Sequence, residues 1–82
     1  MEIVWDEPKR LADLDKHGLD FAALDLGFFL SAVVRPSHSR RLLALETHDG
    51  RPIAVLFRPL GQEAISIVSM RPARSDERRV IP

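Results

Sequence analysis

Residues 41–58 read RLLALETHDGRPIAVLFR, two apolar runs on either side of a short polar segment. At the centre, Asp49-Gly50 is a dipeptide that favours a tight turn between two antiparallel strands. In the second run Ile53, Val55 and Phe57 alternate along the chain, so a strand would direct them to the same face of a sheet. This stretch therefore predicts a β-hairpin with strands at Arg41–Thr47 and Pro52–Arg58.

The rest of the chain supplies further helix and strand patterns on both sides of this hairpin. Before it we predict a strand at Glu2–Trp5 and a helix at Pro8–His17, with Asp6 as its N-cap and Gly18 after its end. A short helix follows from Asp20 to about Leu26 and ends at Gly27. We then predict a strand at Phe28–Val34 and a loop at Arg35–Ser39. After it we predict a turn at Pro59–Gln62, a strand at Glu63–Met70 and a short C-terminal helix beginning at Arg74 or Ser75. The fold class is therefore α+β, with N-terminal helices packed on a three- to four-stranded antiparallel sheet.

Composition narrows the class of protein. The chain has 82 residues, of which 45% are hydrophobic and 29% charged, which fits one globular domain over residues 1–82 and argues against disorder. It has no cysteine, so disulfides and thiolate metal sites are excluded. No apolar run is long enough for a membrane helix and no secretory signal is visible, so we expect a cytoplasmic protein. So small a domain favours an open surface site over an enclosed cofactor pocket.

Charge is distributed unevenly although the net charge is zero. Residues 1–30 contain three basic and seven acidic side chains, a balance of −4, whereas residues 31–82 contain nine and five, a balance of +4. Ten of the twelve basic residues are arginines, whose planar guanidinium suits phosphate and carboxylate groups. The second half can therefore contact RNA or an acidic protein, or it can simply be a solvated surface.

Several motifs resemble those of one known family. They are Trp5-Asp6-x-x-Lys9, Leu14-x-Lys16-His17-Gly18-Leu19-x-Phe21, the strand that begins at Arg41, Asp49-Gly50-Arg51, and Ile65-Ser66-Ile67-Val68-Ser69-Met70-Arg71-Pro72-Ala73-Arg74 with Glu77-Arg78 downstream. In type, order and spacing these resemble the BrnT family, the toxins of BrnT–BrnA type II toxin–antitoxin systems.

The resemblance implies a fold, an activity and a partner. It implies a RelE-like fold and a ribonuclease that cleaves RNA without a metal or other cofactor and thereby inhibits translation. It also implies that a BrnA-like antitoxin neutralises the toxin by covering the RNA-binding face or an adjoining one. DNA would be contacted only through that antitoxin, and no membrane is involved.

Arg71 is the first candidate for a catalytic residue, since it ends the last predicted strand. We expect Arg58, at the end of the neighbouring strand, to lie close to it, so that the two can clamp a phosphate. The alternative for Arg71 is a salt bridge to Glu63, Asp76 or Glu77.

Proton transfer in RNA cleavage needs a different kind of side chain. His17 lies in the motif that most specifically resembles the family, and an imidazole suits this role. Its alternative role is to cap the carbonyl end of the first helix. Glu77 is a second candidate base, with surface solvation as its alternative.

Four more basic residues are candidates for RNA binding. They are Lys16, Arg41, Arg74 and Arg78. Strand alternation sends Arg40 and Arg41 to opposite faces, so at most one of them joins the site, and the resemblance favours Arg41 because it matches the family's Arg-led strand. Trp5 can stack on a base, although a place in the core is the preferred interpretation. Neither His38 nor His48 has a zinc-ligand spacing, so no metal site is predicted.

Two other functions stay open at this stage. Ser66 stands where relatives usually carry arginine, and Leu60 lies near another position where arginine is common. The chain contains no tyrosine, whereas relatives typically have one at the C-terminus. These departures favour a degenerate, non-catalytic relative that binds an antitoxin and takes part in operon autoregulation. The other possibility is an independent nucleic-acid-binding module.

Overall fold

A five-stranded mixed sheet organises the computed structural model, which describes residues 1–82. The elements are β1 (Glu2–Trp5), α1 (Glu7–His17), a 3₁₀ turn (Phe21–Ala23), α2 (Leu26–Ser31), β2 (Val33–Pro36), β3 (Leu42–His48), β4 (Arg51–Leu60), β5 (Ala64–Pro72) and α3 (Ser75–Arg78). The strand order is β1-β5-β4-β3-β2, in which β1 lies parallel to β5 and all other neighbours are antiparallel. The α+β class is confirmed, but the predicted three to four antiparallel strands were too few. None of the helices is long and apolar enough to cross a membrane.

The central hairpin forms as predicted. Asp49 and Gly50 both have positive φ, at 51° and 76°, which is the backbone of the turn that suits strand twist. His48 pairs with Arg51 across this turn. Strand β4 then continues to Leu60, so the following turn begins later than the sequence pattern indicates.

The prediction for residues 20–34 was wrong in its order of helix and strand. The side chain of Asp20 accepts a hydrogen bond from the Ala22 amide and caps only a 3₁₀ turn. The Asp25 carboxylate accepts from the Phe28 amide at 3.0 Å and thereby starts α2. The predicted strand at Phe28–Val34 is therefore mostly helix, because a continuous apolar run fits either structure and a cap decides between them.

The predicted N-cap of α1 is confirmed in position, whereas the predicted loop at Arg35–Ser39 began too early. Asp6 occupies the N-cap position of α1, but its side chain makes no capping hydrogen bond. Arg35 and Pro36 belong to β2 and not to a loop, so the β2–β3 connection is limited to residues 37–41.

Strand alternation gives the sheet a core face and an open face. The core face packs against α2 and the 3₁₀ turn, with Trp5 among the half-buried residues against it. Its central members are Ala44, Ile53, Val55, Phe57, Ile65, Ile67 and Met70. An extra residue in β5 shifts the pairing next to Leu56 and Phe57, and alternation resumes on both sides of this bulge.

Helix α1 is anchored to the sheet by a buried carboxylate. Asp13 is 4% exposed and accepts a hydrogen bond from the Met70 amide at 2.9 Å. Strand β1 pairs with β5 only as far as Ile67, so the Met70 amide has no strand partner on that side. Lys9 donates to the other carboxylate oxygen at 2.7 Å. The Asp13 carboxylate therefore accepts the hydrogen bond that a neighbouring strand would otherwise accept from β5 beyond the end of β1.

Asp13→Ala is expected to lower the free energy of unfolding by roughly 1–3 kcal/mol, because it leaves a buried amide without an acceptor. Asp13→Asn keeps an oxygen acceptor and should cost less. Asp15→Ala is the matched control, since Asp15 is an exposed residue of the same helix. Urea unfolding of the three variants measures the difference. Equal losses for the alanine changes at positions 13 and 15 would contradict this role.

Candidate nucleic-acid interface

The open face of the sheet is polar and positively charged in its uncovered part. Alternation places on it Arg35, Leu43, Leu56, Arg58, Ser66, Ser69 and Arg71. Helix α3 contacts β4, and Leu45 and Ala54 on this face are buried outside the main core cluster. The C-terminal segment thus covers one part of the face and leaves the rest as a surface.

A groove lies on the uncovered part, with a cavity volume of about 300 Å³. Its walls are Ser37, His38, Leu43, Leu56, Ser69, Arg71, Arg74 and Glu77. This volume is at the lower end for ligand pockets, so the groove can receive a single nucleotide or phosphodiester unit more readily than a large cofactor. Polar and charged side chains from β5, α3 and the β2–β3 connection converge there.

Arg71 and Glu77 form a bidentate ion pair in this groove. Arg71 Nη1 donates to Glu77 Oε1 at 2.7 Å, and Nη2 donates to Oε2 at 2.9 Å. The Glu77 side chain is 6% exposed and that of Arg71 is 26% exposed. The Arg74 amide also donates to Glu77 Oε1, at 2.8 Å. Three hydrogen bonds therefore fix the buried carboxylate and hold α3 against the sheet.

This pairing sets the charge state of both groups. Hydrogen bonds from Arg71 lower the pKa of Glu77 to about 2, although burial acts in the opposite direction. The same hydrogen bonds raise the pKa of Arg71. Glu77 is therefore ionised at neutral pH and too weakly basic to take a proton from a hydroxyl group.

Arg71 retains free donors on the side of its guanidinium that faces away from Glu77. Nη1 uses its two hydrogens on Glu77 and on the Pro72 carbonyl, which accepts at 3.2 Å. Nη2 uses one hydrogen on Glu77. The Nε–H and the second Nη2–H remain, and they are parallel donors of the kind that binds a phosphate through two oxygens.

Comparison with known proteins identifies the family of this chain. A family profile described as the ribonuclease toxin BrnT of type II toxin–antitoxin systems matches residues 5–77. The chain belongs to the BrnT family. It is also similar to the 1.1 Å crystal structure of the Brucella abortus ribonuclease toxin BrnT, with 53% sequence identity and a TM-score of 0.84 over 92% of this chain and 99% of that one. A search of curated protein sequences gave no match.

The predicted site of this BrnT-family protein is only partly assembled in one place. Arg71, Arg74 and Glu77 meet in the groove, and the predicted alternative of a salt bridge from Arg71 to Glu77 is present. Arg78, also on α3, is exposed and directs Nη2 to Ser75 Oγ at 3.5 Å.

The expectation that Arg58 lies beside Arg71 was wrong. Arg58 pairs with Ser66, whereas Arg71 pairs with Ala54. Four residues of β4 separate the two positions, roughly 13 Å along the strand. Arg58 instead lies at the end of the sheet where Leu42 pairs with Phe57. Arg41 directly precedes β3 at that end, and its Nε is buried without a hydrogen-bond partner.

His17 and Lys16 lie away from the groove, at the end of α1. The His17 carbonyl accepts a hydrogen bond from Arg51 Nη2 at 3.3 Å. Arg51 is three residues from Ala54 on β4, so alternation puts it on the face opposite Arg71. A catalytic role for His17 thus requires RNA to reach both sides of the sheet.

The sequence pattern missed one titratable residue of the groove. His38 lines it together with Arg71 and Arg74, although it comes from a loop more than thirty residues earlier in the chain. No local spacing links these residues, because the antiparallel pairing of β2 through β5 brings them together. Only the strand register predicts this proximity.

Glu77→Gln is expected to remove a pH-dependent part of the stability. Because the folded-state pKa is lowered from 4.5 to about 2, the ionised carboxylate stabilises the fold above pH 4.5, and this contribution is lost as the pH falls through 2. Urea unfolding between pH 2 and 7 should show the wild type losing on the order of 1–3 kcal/mol more than the variant. Asp76→Asn, on the exposed side of the same helix, is the control. Parallel pH curves for wild type and Glu77→Gln would exclude this coupling.

Proposed function

We propose that this BrnT-family chain is a metal-independent endoribonuclease toxin that inhibits translation by cleaving RNA on the open face of its sheet. The observation that carries this proposal is the oriented Arg71 in the groove, with two parallel donors free and Arg74 beside it. A preorganised pair of cations is what a phosphate needs as it gains charge in the transition state.

The chemistry that fits the groove is an internal transesterification. The ribose 2′-oxygen attacks the adjacent phosphorus, the bond to the 5′-oxygen breaks, and the products are a 2′,3′-cyclic phosphate and a 5′-hydroxyl. Arg71 and Arg74 would bind the non-bridging oxygens and stabilise the added negative charge. Glu77 orients Arg71 and does not transfer a proton itself, which revises the role predicted for it.

RNA that occupies the groove would also run along the rest of the open face. Arg58 is offset from Arg71 by roughly 13 Å along the strand direction, and Arg41 lies towards the same end of the sheet, so they would contact a different phosphate of the same RNA strand. We assign these two arginines to RNA binding and not to the reacting phosphate.

A BrnA-like antitoxin is the partner that follows from membership of a type II toxin–antitoxin family. We propose that it inhibits the toxin by covering the open face, where acidic or apolar residues would complement the exposed arginines. Contact with DNA would be made by the antitoxin, because the toxin presents its cations on a sheet and has no recognition helix.

Removing Arg71 should slow RNA cleavage strongly in the presence of EDTA. Because Arg71→Ala alone leaves a buried carboxylate unpaired, the informative variant combines Arg71→Ala with Glu77→Gln. We expect the double variant to cleave about 100- to 1,000-fold more slowly than Glu77→Gln alone, the cost of losing one transition-state donor. Gel analysis of a structured RNA measures the rates.

Arg79→Ala is the matched control, since that guanidinium is exposed and makes no side-chain hydrogen bond. It should cleave at the wild-type rate. If the folded wild-type protein binds antitoxin but cleaves no RNA, alone or with ribosomes, the degenerate non-catalytic relative becomes the correct interpretation.

Salt dependence of RNA affinity tests which surface the RNA covers. A 2′-O-methyl oligonucleotide binds without being cleaved, and each lost phosphate contact should reduce the slope of log affinity against log salt by about 0.7. We expect this reduction for Arg74→Ala and for Arg58→Ala. Lys16→Ala tests the other side of the sheet, and an equal reduction there would mean that RNA covers both faces.

A further inference from the structure

The proposed cleavage lacks one component among the residues assigned so far, which is a group that accepts the 2′-hydroxyl proton. Arg71 and Arg74 cannot supply it, because arginine stays protonated in proteins. Glu77 cannot supply it either, since hydrogen bonds from Arg71 lower its pKa to about 2. A proton acceptor has to come from another wall of the groove.

His38 is the only histidine in that wall, and imidazole is the side chain that ordinarily exchanges a proton between pH 5 and 8. The other two histidines of the chain lie elsewhere. His17 ends α1, and His48 packs edge-on against Phe28 with ring centroids 6.1 Å apart. The groove therefore contains one imidazole, which lines it together with the two arginines that would bind the phosphate.

The backbone around His38 is held in an uncommon conformation. Ser39 and Arg40 both have positive φ, at 61° and 60°, without a glycine to make this favourable. The Arg41 amide donates to the His38 carbonyl at 3.2 Å, and the Ser37 amide donates to the Arg41 carbonyl at 2.9 Å. These two bonds close the β2–β3 turn, and strain of this kind is concentrated at functional sites.

We propose that His38 is the general base of the reaction, an inference that rests on the function proposed above. Neutral His38 accepts the proton of the 2′-hydroxyl as the O2′–P bond forms. The P–O5′ bond then breaks, and the leaving oxygen takes a proton from solvent water. Arg71 and Arg74 bind the non-bridging oxygens during both changes, so the carrier of the proton and the carriers of positive charge are different residues.

The charged groups near His38 keep their charge across pH 5–8, so the pH dependence of the reaction in this range comes from His38. They are Arg35 on β2, Arg40 and Arg41 in the turn, Arg71 on β5, and Arg74 and Glu77 in the C-terminal segment. The arginines stay charged and Glu77 stays ionised across pH 5–8. The cleavage rate should therefore rise with pH and level off once the imidazole is neutral.

Alanine substitution of each histidine in turn, in the full chain, tests this inference. We expect His38→Ala to lower the cleavage rate by about 100-fold or more, to lose the rise with pH, and to recover activity when free imidazole is added. RNA affinity and the urea midpoint should not change, since the His38 side chain is exposed. His48→Ala is the matched control and should keep the wild-type pH profile.

The outcomes separate this inference from the proposed function. If wild type cleaves, the Arg71→Ala/Glu77→Gln variant does not, and His38→Ala cleaves at the wild-type rate, His38 is not the base although the ribonuclease proposal stands. Loss in His17→Ala with rescue by imidazole would also overturn it, in favour of the other histidine. Absence of cleavage by the wild-type protein overturns both proposals.

Discussion

The buried ion pair between Arg71 and Glu77 is the constraint on which the functional face depends. A four-residue helix such as α3 is too short to be stable by itself, so it needs a tertiary anchor. The Glu77 carboxylate supplies one by accepting two hydrogen bonds from β5 and one from the Arg74 amide. A carboxylate as buried as this is tolerated only with such partners. This ion pair therefore fixes the position of α3, which forms one wall of the groove.

The same ion pair also determines which chemical roles Arg71 and Glu77 can have in the groove. Glu77 holds one edge of the guanidinium and the Pro72 carbonyl accepts the other Nη1 hydrogen. Together they remove the freedom that an arginine side chain usually has and direct its remaining donors away from Glu77. Because the side chain is already ordered, binding a phosphate costs less conformational entropy. The same ion pair prevents Glu77 from acting as a general base, since it lowers the pKa of the carboxylate to about 2. Separate residues must then stabilise charge and move protons.

How far the sequence predicts this structure depends on how local each feature is. The Asp49-Gly50 hairpin and the ion pair between Arg71 and Glu77 each lie within a short stretch. The hairpin was predicted, and a salt bridge to Glu77 was one of three partners considered for Arg71, whereas the roles of Arg71, Arg74 and Glu77 are proposals. The run from Phe28 suited a helix as well as a strand, and the cap at Asp25 decided the outcome. Parallel pairing of β1 with β5, the distance from Arg58 to Arg71 and the approach of His38 all depend on long-range register, which local patterns do not encode.

A domain of 82 residues can bury one face of its sheet thoroughly, and here that face is covered by α2, the 3₁₀ turn and part of α1. The opposite face is covered only in part: α3 contacts β4, and Leu45 and Ala54 are buried on this face. Charged and polar side chains can occupy the uncovered strip without a desolvation cost. The limit on burial in so short a chain thus produces the open cationic surface, and α3 confines it to a groove beside the β2–β3 turn.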